Sequence, residues 1–254
     1  MYEDLKQKLV DGGRALALEG QGDYVAGHIS VRLPDDPNKF LMKPAGIGLE
    51  EMNAGNIITV DIEGKKIDGI ANRHNEVYIH SEILRARPDV HSVIHTHPIN
   101  AVVFSSLDKP LQMVGNDASN FHRGLPVFSE TTDLITTQER GKGVASALGD
   151  HPAVLLRNHG IAVGGDSIEQ SVWLALKLER ACQMQLMAEN AGGAKVFVKA
   201  EDVSDKAAKS NRSDLNNNVF AYLKRKWMRH MCPMCAQEEV EGPRTFKVES
   251  GKID

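Results

Sequence analysis

Residues 90–98 have the sequence Val90-His91-Ser92-Val93-Ile94-His95-Thr96-His97-Pro98, in which an apolar run leads into two histidines at alternate positions. Such a short apolar run is a candidate β-strand. Side chains at alternate positions of a strand point to the same side, so His95 and His97 can bind one metal ion together. The stretch therefore predicts a strand that ends in a pair of metal ligands.

The residues before this strand predict a helix and, further upstream, a small sheet. Residues 76–87 have helical periodicity and end at Pro88, so a helix runs directly into the strand. Upstream, residues 27–33 alternate in polarity, residues 40–42 form a short apolar run, and residues 57–67 have the pattern of a hairpin. Together with an amphipathic helix over residues 2–19, these segments predict an antiparallel first third.

The residues after the strand continue the mixture of helices and strands. The patterns predict helices over 99–107, 136–148 and 167–190, and strands over 125–128, 153–156 and 160–164. Thr136 with Glu139 suggests a capping box at the second of these helices, and Ser167 is a good N-cap for the third. Because strands and helices do not alternate strictly, we expect an α/β fold of the α+β type, with a central mixed, mainly antiparallel sheet flanked by helices.

Length and composition limit the class of protein. A chain of 254 residues and 27.9 kDa is long enough for one large domain, which we place at residues 1–193. The polar and then basic residues 194–254 predict a partly helical extension for assembly or for closing the site. No apolar run is long enough for a membrane span, and the N-terminus lacks a signal-peptide pattern, so we expect a cytoplasmic protein. A net charge of −4 gives no general attraction for nucleic acid.

The three cysteines cannot build a disulfide framework. Cys232 and Cys235 form a Cys-Pro-Met-Cys pair near the C-terminus, without the second half of a zinc knuckle. We interpret them as incidental thiols of a tail, and His230 nearby leaves a weak metal site as the alternative.

A third imidazole ligand is available in the second half of the chain. His159 comes directly after the apolar residues 153–156, where a loop would bring it to the sheet edge, and Gly160 permits a tight turn. Three histidines leave coordination positions open, which suits a catalytic Zn²⁺, Mn²⁺, Co²⁺ or Fe²⁺ ion. Glu76 opens the helix before the first pair, where it is a candidate for the same site but also an ordinary choice for a helix N-terminus.

Taken together, residues 5–190 resemble the class II aldolase and adducin superfamily. The matching elements are Gly27-His28-Ile29-Ser30-Val31-Arg32, the Glu76 helix, residues 86–98 and Asn158-His159-Gly160 followed by a long helix. The resemblance implies a three-layer α/β/α fold with a nine-stranded mixed sheet, a homotetramer and active sites at subunit interfaces. It also implies a divalent metal on His95, His97 and His159, with Glu76 as acid/base or fourth ligand.

The chain departs from the sugar-phosphate aldolases of that superfamily where they bind phosphate. It has His28, the loop Lys43-Pro44-Ala45-Gly46 and His74-Asn75 where hydroxyl and amide donors are expected, and residues 108–128 contain no tyrosine for the aldol proton donor. Cationic groups suit a carboxylate, so we expect His28, Lys43, Arg73 and His74 to contact a carboxylated substrate. The alternative for Lys43 and Arg73 is ordinary solvated loop charge, and Arg32 is interpreted as a structural partner in the sheet.

These departures resemble the superfamily branch that contains metal-dependent decarboxylases of hydroxylated aromatic or pyridine dicarboxylates. The expected function is a carbon–carbon lyase, in which the metal acts as a Lewis acid and Glu76 delivers or removes the proton. His122 is the candidate substrate contact of the middle segment, ahead of four neighbours that are also turn formers: Asn116, Asp117, Ser119 and Arg123.

Three other functions are compatible with the same residues. The first is a class II aldolase that cleaves a non-phosphorylated hydroxy-carbonyl compound. The second is a non-haem iron oxygenase, since three histidines with open positions also suit Fe²⁺ and O₂. The third is a non-catalytic adducin-like binding module, against which the presence of all three histidines and Glu76 argues.

Overall fold

A single sheet of eight strands forms the centre of the computed structural model, which describes residues 2–231. The strand order is β4-β3-β2-β1-β5-β8-β7-β6, and every pairing is antiparallel except that of β6 with β7. The mainly antiparallel mixed sheet is thus confirmed, with eight strands in the described residues where the resemblance implies nine. The strands are β1 His28–Arg32, β2 Lys39–Met42, β3 Ile58–Asp61, β4 Lys66–Asp68, β5 Ser92–Thr96, β6 Val127–Phe128, β7 Ala153–Leu156 and β8 Gly160–Gly165.

Helices cover both faces of the sheet and confirm the three-layer arrangement. Helices α1, α3, α5 and α7 cover one face of the sheet. Helices α2 and α4 cover the opposite face, where they pack against each other. The helices are α1 Glu3–Leu16, α2 Val77–Ala86, α3 Ile99–Ser105, α4 Gln138–Leu148, α5 Ile168–Asn190, α6 Ala200–Ser210 and α7 Ser213–Met231. Among the described residues no helix is both long and apolar enough to cross a bilayer.

Apolar and polar residues alternate along β1, and this alternation decides which face of the sheet carries the polar side chains. Ile29 and Val31 are buried in the apolar cluster under α1 and α5. The neighbouring positions His28 and Ser30 therefore point to the opposite face, toward α2. β1 pairs with β5 so that His28 lies opposite His95, which brings polar residues of two strands together.

The two predicted helix caps had different outcomes. Ser167 caps α5, because its side chain accepts a hydrogen bond from Gln170 N. At α4 the N-cap is Thr137, whose side chain accepts from Arg140 N. The predicted capping box of Thr136 with Glu139 is therefore wrong by one position, since the third residue after the actual cap is an arginine.

Residues 194–231, the described part of the C-terminal extension, contain two helices, and α7 packs on the domain. The extension predicted to be partly helical contains α7, which contacts α1 and α5. Lys224 of α7 forms an ion pair of 3.2 Å with Asp11 of α1. Helix α6 was not predicted, because its sequence is dominated by polar residues. The domain boundary at residue 193 stays a prediction, and Cys232 and Cys235 lie outside the described residues.

Candidate metal centre

Glu76, His95, His97 and His159 come together at one end of the sheet. One ligand atom from each lies within 4.8 Å of those of the other three. His95 Nε2 is 3.1 Å from His97 Nε2 and 3.7 Å from Glu76 Oε2, and His159 Nε2 is 3.6 Å from Glu76 Oε1. The structure therefore places the four predicted residues around one small volume.

Strand β5 presents the two histidines as its alternation requires. His95 is fully buried and His97 is half-buried just beyond the strand end. Thr96, between them, points to the other face, where its hydroxyl donates a hydrogen bond of 2.8 Å to Gln21. Because Thr96 is fixed on that side, the two imidazoles are kept on the metal side.

The third histidine lies in the turn between β7 and β8. Asn158 has φ of 55°, a left-handed conformation that asparagine tolerates well. Gly160 has a different role from the predicted one, because no positive φ is needed there. A Cβ at Gly160 would lie 2.5 Å from Thr96 O and 2.8 Å from His97 Cδ2. The glycine therefore provides space for the histidine rings of the cluster, and the asparagine makes the turn.

Glu76 is the residue just before α2, and its side chain faces the histidines instead of capping the helix. Its Oε1 accepts a hydrogen bond of 2.8 Å from Ile135 N, in the loop between β6 and α4. Burial raises the pKa of the Glu76 carboxyl, although the bond from Ile135 opposes the shift. The start of α2 and the hydrogen bond from Ile135 together therefore hold the carboxyl group in the cluster.

Hydrogen bonds on the far side of the rings decide which nitrogens can bind a cation. His95 Nδ1 donates to Ile161 O at 2.9 Å, and His97 Nδ1 lies 3.0 Å from the carboxylate of Asp23. With protons on both Nδ1 atoms, the two Nε2 atoms carry lone pairs. Burial also lowers the pKa of His95 well below its usual value and that of His159 to about 4, so both rings favour the neutral form that ligates metals.

Two features of these nitrogens fit a bound cation. The Nε2 lone pairs of His95 and His97 face each other at 3.1 Å, which is unfavourable unless a positive charge lies between them. His159 Nε2 is buried and has no hydrogen-bond partner among the described residues. Buried polar atoms without a partner are rare in folded proteins, and a divalent cation would satisfy all three nitrogens.

Three of the predicted substrate residues line a cavity of about 300 Å³ beside this cluster. They are His28, Arg73 and His74, and Glu76 and His97 line the same cavity. His28 lies close to His74, with ring centroids 4.4 Å apart, and close to His95, at 4.9 Å. The cavity thus places basic side chains next to the metal cluster.

Lys43 lies behind this cavity and is completely buried, so the alternative of a solvated lysine is wrong. Its ammonium group donates to Val25 O at 3.1 Å and lies 3.1 Å from His74 Nε2. Burial lowers the pKa of Lys43 to about 8, and burial together with the Lys43 charge lowers the pKa of His74 to about 4. In the described structure Lys43 therefore supports His74 and does not itself line the cavity.

A second cavity, of about 410 Å³, adjoins the other side of the cluster. Its lining combines polar residues with four apolar ones: Asp23, His97, Thr132, Asn158, His159, Ile99, Val102, Val103 and Leu134. The candidate centre therefore adjoins two cavities, one with basic side chains and one with a cluster of four apolar side chains.

The structure does not bring His122 to the centre. His122 is exposed and lines a third cavity, of about 500 Å³, with residues of the 111–113 and 197–203 segments. The other four candidates of the middle segment have structural partners in the same chain. Asp117 pairs with Lys177 and Arg180, Arg123 pairs with Asp150, and Ser119 donates to the carbonyl of Asn116.

Arg32 has the structural role expected of it. Its guanidinium donates to the carbonyls of Leu84, Arg87 and Val90, and so fixes the link between α2 and β5.

Sequence analysis missed three side chains that support the centre. Asp23 holds His97, while His80 and Ser30 form a hydrogen-bonded chain behind His28. Ser30 and His80 were noted only as members of a strand and a helix pattern. No signal near Asp23 in the sequence points to His97, which follows 74 residues later.

Comparisons with known proteins find relatives that align with most of this chain. The chain is 32% identical over 230 residues to the meiotically up-regulated gene 14 protein of Schizosaccharomyces pombe, covering 87% of this chain and 88% of that protein. It is 30% identical over 200 residues to 3,4-dihydroxyphthalate decarboxylase of Arthrobacter keyseri, covering 71% and 77%. Among solved structures, L-fuculose 1-phosphate aldolase from Glaciozyma antarctica matches with a TM-score of 0.77 and 28% identity, covering 91% of each chain.

The family model of the class II aldolase and adducin N-terminal domain matches residues 7–186. This range includes every strand of the sheet and all four residues of the candidate centre. The chain belongs to the class II aldolase and adducin N-terminal domain family.

Proposed function

We propose that this protein is a divalent-metal-dependent carbon–carbon lyase that decarboxylates a hydroxylated aromatic or heteroaromatic carboxylate. The observation that carries the proposal is the cluster of three imidazoles and Glu76, opening onto a cavity lined by His28, Arg73 and His74. Zn²⁺, Mn²⁺, Co²⁺ and Fe²⁺ all suit such a ligand set.

His95, His97 and His159 would hold the cation, which supplies Lewis-acid stabilisation of negative charge on substrate oxygens. In the reaction the bond between the ring carbon and the carboxyl carbon breaks and CO₂ leaves. A proton first adds to that ring carbon while an ionised ring hydroxyl becomes a carbonyl, and the electron pair of the broken bond then restores the aromatic ring and the negative charge on that oxygen. The Glu76 carboxyl is the group placed to deliver that proton, because the backbone of Ile135 holds it within the cluster.

The residues around the cavity favour a carboxylate over a sugar phosphate. By the family resemblance, His28 and His74 replace an amide and a hydroxyl donor for phosphate, and Arg73 lines the same cavity. Residues 108–128 contain no tyrosine to serve as aldol proton donor. The similarity to a 3,4-dihydroxyphthalate decarboxylase supports the same substrate class. The four apolar side chains of the second cavity are suited to contact an aromatic ring.

The proposal is tested by metal content and product analysis. The purified protein, reconstituted with each of the four metals, is incubated with hydroxylated aromatic carboxylates and with hydroxy-carbonyl compounds. Release of CO₂ without O₂ is the expected result. Aldehyde or ketone release would instead identify an aldolase, a strict requirement for O₂ an oxygenase, and failure to bind any transition metal an adducin-like module.

One substitution pair ties the activity to the centre. His95→Ala should abolish both metal binding and CO₂ release, because it removes a buried ligand. His91→Ala, four residues earlier and exposed, is the matched control and should change neither. Normal turnover and metal content in His95→Ala would contradict the proposal.

Assembly and location form a further part of the proposal. Family resemblance implies a homotetramer, and two apolar side chains that line the second cavity are exposed: Ile99 at 75% and Val103 at 46%. Sedimentation of the purified protein tests the tetramer. A cytoplasmic location is proposed with it, and fractionation of cells tests that.

A further inference from the structure

A buried chain of three side chains leads from the sheet to the wall of the basic cavity. His28 Nδ1 lies 2.6 Å from His80 Nε2, and His80 Nδ1 lies 2.6 Å from Ser30 Oγ. His28 and Ser30 occupy alternate positions of β1, and His80 projects toward them from α2. Ser30 and His80 are completely buried, and His28 is 2% exposed where it lines the cavity.

The hydroxyl of Ser30 sets the direction of these hydrogen bonds. Within residues 2–231, its one hydrogen-bond partner is His80 Nδ1. If His80 Nδ1 carried a proton, the buried hydroxyl proton of Ser30 would have no acceptor, which costs about 1–3 kcal/mol. Ser30 therefore donates to His80 Nδ1, and burial, which lowers the pKa of His80 to about 3, keeps that ring neutral.

The hydrogen bond from Ser30 to His80 decides which ring nitrogens of His80 and His28 carry protons. A neutral His80 that accepts at Nδ1 carries its proton on Nε2, so it donates to His28 Nδ1. A neutral His28 that accepts at Nδ1 carries its own proton on Nε2. That nitrogen has no partner among the described residues, and it belongs to a ring that lines the cavity.

We propose that Ser30 and His80 are positioning residues, which hold His28 in the Nε2–H tautomer so that it donates a hydrogen bond to a substrate oxygen beside the metal centre. This inference rests on the proposed function for the nature of the substrate, an oxygen-rich hydroxylated carboxylate. A donor held in advance suits an oxygen that gains negative charge, because no reorganisation is needed when the charge develops. The reversed chain would present a lone pair, which repels such an oxygen.

The tautomer can be measured without turnover. The protein is labelled with ¹⁵N-histidine and loaded with diamagnetic Zn²⁺, and two-bond ¹H–¹⁵N correlations show which ring nitrogen carries the proton. His80→Gln identifies the His80 signals. We expect protons on Nε2 of both His28 and His80. A proton on Nδ1 of His28 would overturn the proposal.

Ser30→Ala and Ser30→Thr form the matched pair of variants. Ser30→Ala removes the hydroxyl, so a second tautomer of His80 and His28 should appear, and affinity for 3,4-dihydroxybenzoate, used as a probe, should fall about tenfold. Ser30→Thr keeps the hydroxyl and should restore both. Unchanged tautomers and affinity in Ser30→Ala would overturn the proposal, and if that variant does not fold, the wild-type spectrum decides alone.

The two proposals fail in different ways. If no carboxylate releases CO₂ but His28 carries its proton on Nε2, the decarboxylase proposal fails and the hydrogen-bonded chain stands. If CO₂ is released but His28 is protonated on Nδ1, the chain fails and the lyase stands.

Discussion

Gly160→Ala should weaken metal binding although it replaces none of the proposed ligands. A Cβ at this position would lie 2.5 Å from Thr96 O, about 0.9 Å closer than the 3.4 Å at which ordinary van der Waals contact begins. The obstacle is backbone, so it cannot rotate away. Thr96 lies between the two histidine ligands of β5, and the same Cβ would also press on the rings of His97 and His95, at 2.8 and 3.3 Å.

The size of the effect follows from the tolerance of metal sites. Metal–ligand distances stay within about 0.2 Å of their ideal values, so a backbone shift of several tenths of an ångström cannot be absorbed by the imidazoles. Changes that disturb the support of metal ligands cost about 10–100-fold in affinity. We therefore expect Gly160→Ala to raise the dissociation constant for Zn²⁺ by at least about tenfold, or about 1.4 kcal/mol.

The assay is competition with a chromophoric chelator, together with thermal unfolding of the metal-free protein. Gly164→Ala is the matched control, because it lies on the same strand and its added Cβ would meet only the Val90 side chain, at 3.1 Å. The control should lose stability and keep its metal affinity. If folded Gly160→Ala bound Zn²⁺ as tightly as the wild type, the argument from Gly160 would be refuted.

Two more predictions concern groups around the centre. Asp23→Ala removes the acceptor of His97 Nδ1–H and should weaken metal binding about 10–100-fold. Asp68, exposed on β4, is the control, and Asp68→Ala should keep the wild-type metal affinity. Equal metal affinities of the two variants would contradict the role of Asp23. The free energy of unfolding of the wild type should rise between pH 8 and 10.5, and Lys43→Met should abolish this rise. In that window the unfolded chain binds the lysine proton and the folded chain does not, so the wild type gains about 3 kcal/mol as pH rises. Urea unfolding across this range measures the gain, and parallel curves for wild type and Lys43→Met would contradict it.

The predicted parts of the centre are those that local rules fix. Strand alternation alone places His95 and His97 on one side, and the end of an apolar strand places His159 at the sheet edge. Helical periodicity places Glu76 at the start of α2. These rules depend only on residues that are neighbours in the sequence, so they can be applied to a single sequence.

The parts that were missed depend on contacts between distant segments. Lys43 is at a loop position, where a lysine is ordinarily solvated, yet backbone carbonyls and His74 surround it here. His122 lies in a segment without periodicity, whose position is set by contacts such as that of Val198 N with Met113 O. Nothing local to either residue reports such partners, so their environments could not be predicted.

The register between β1 and β5 connects the metal centre with the chain behind His28. His28 lies opposite His95, and Ser30 lies opposite Val93. A slip of one residue would turn His28 and Ser30 to the apolar layer under α1 and α5 and expose Ile29 to the polar side. The burial of Ile29 and Val31 therefore stabilises the sheet and, at the same time, keeps His28 beside His95. The alternation of apolar residues along β1 thus positions His28, and the hydrogen-bonded chain behind it, next to the metal centre.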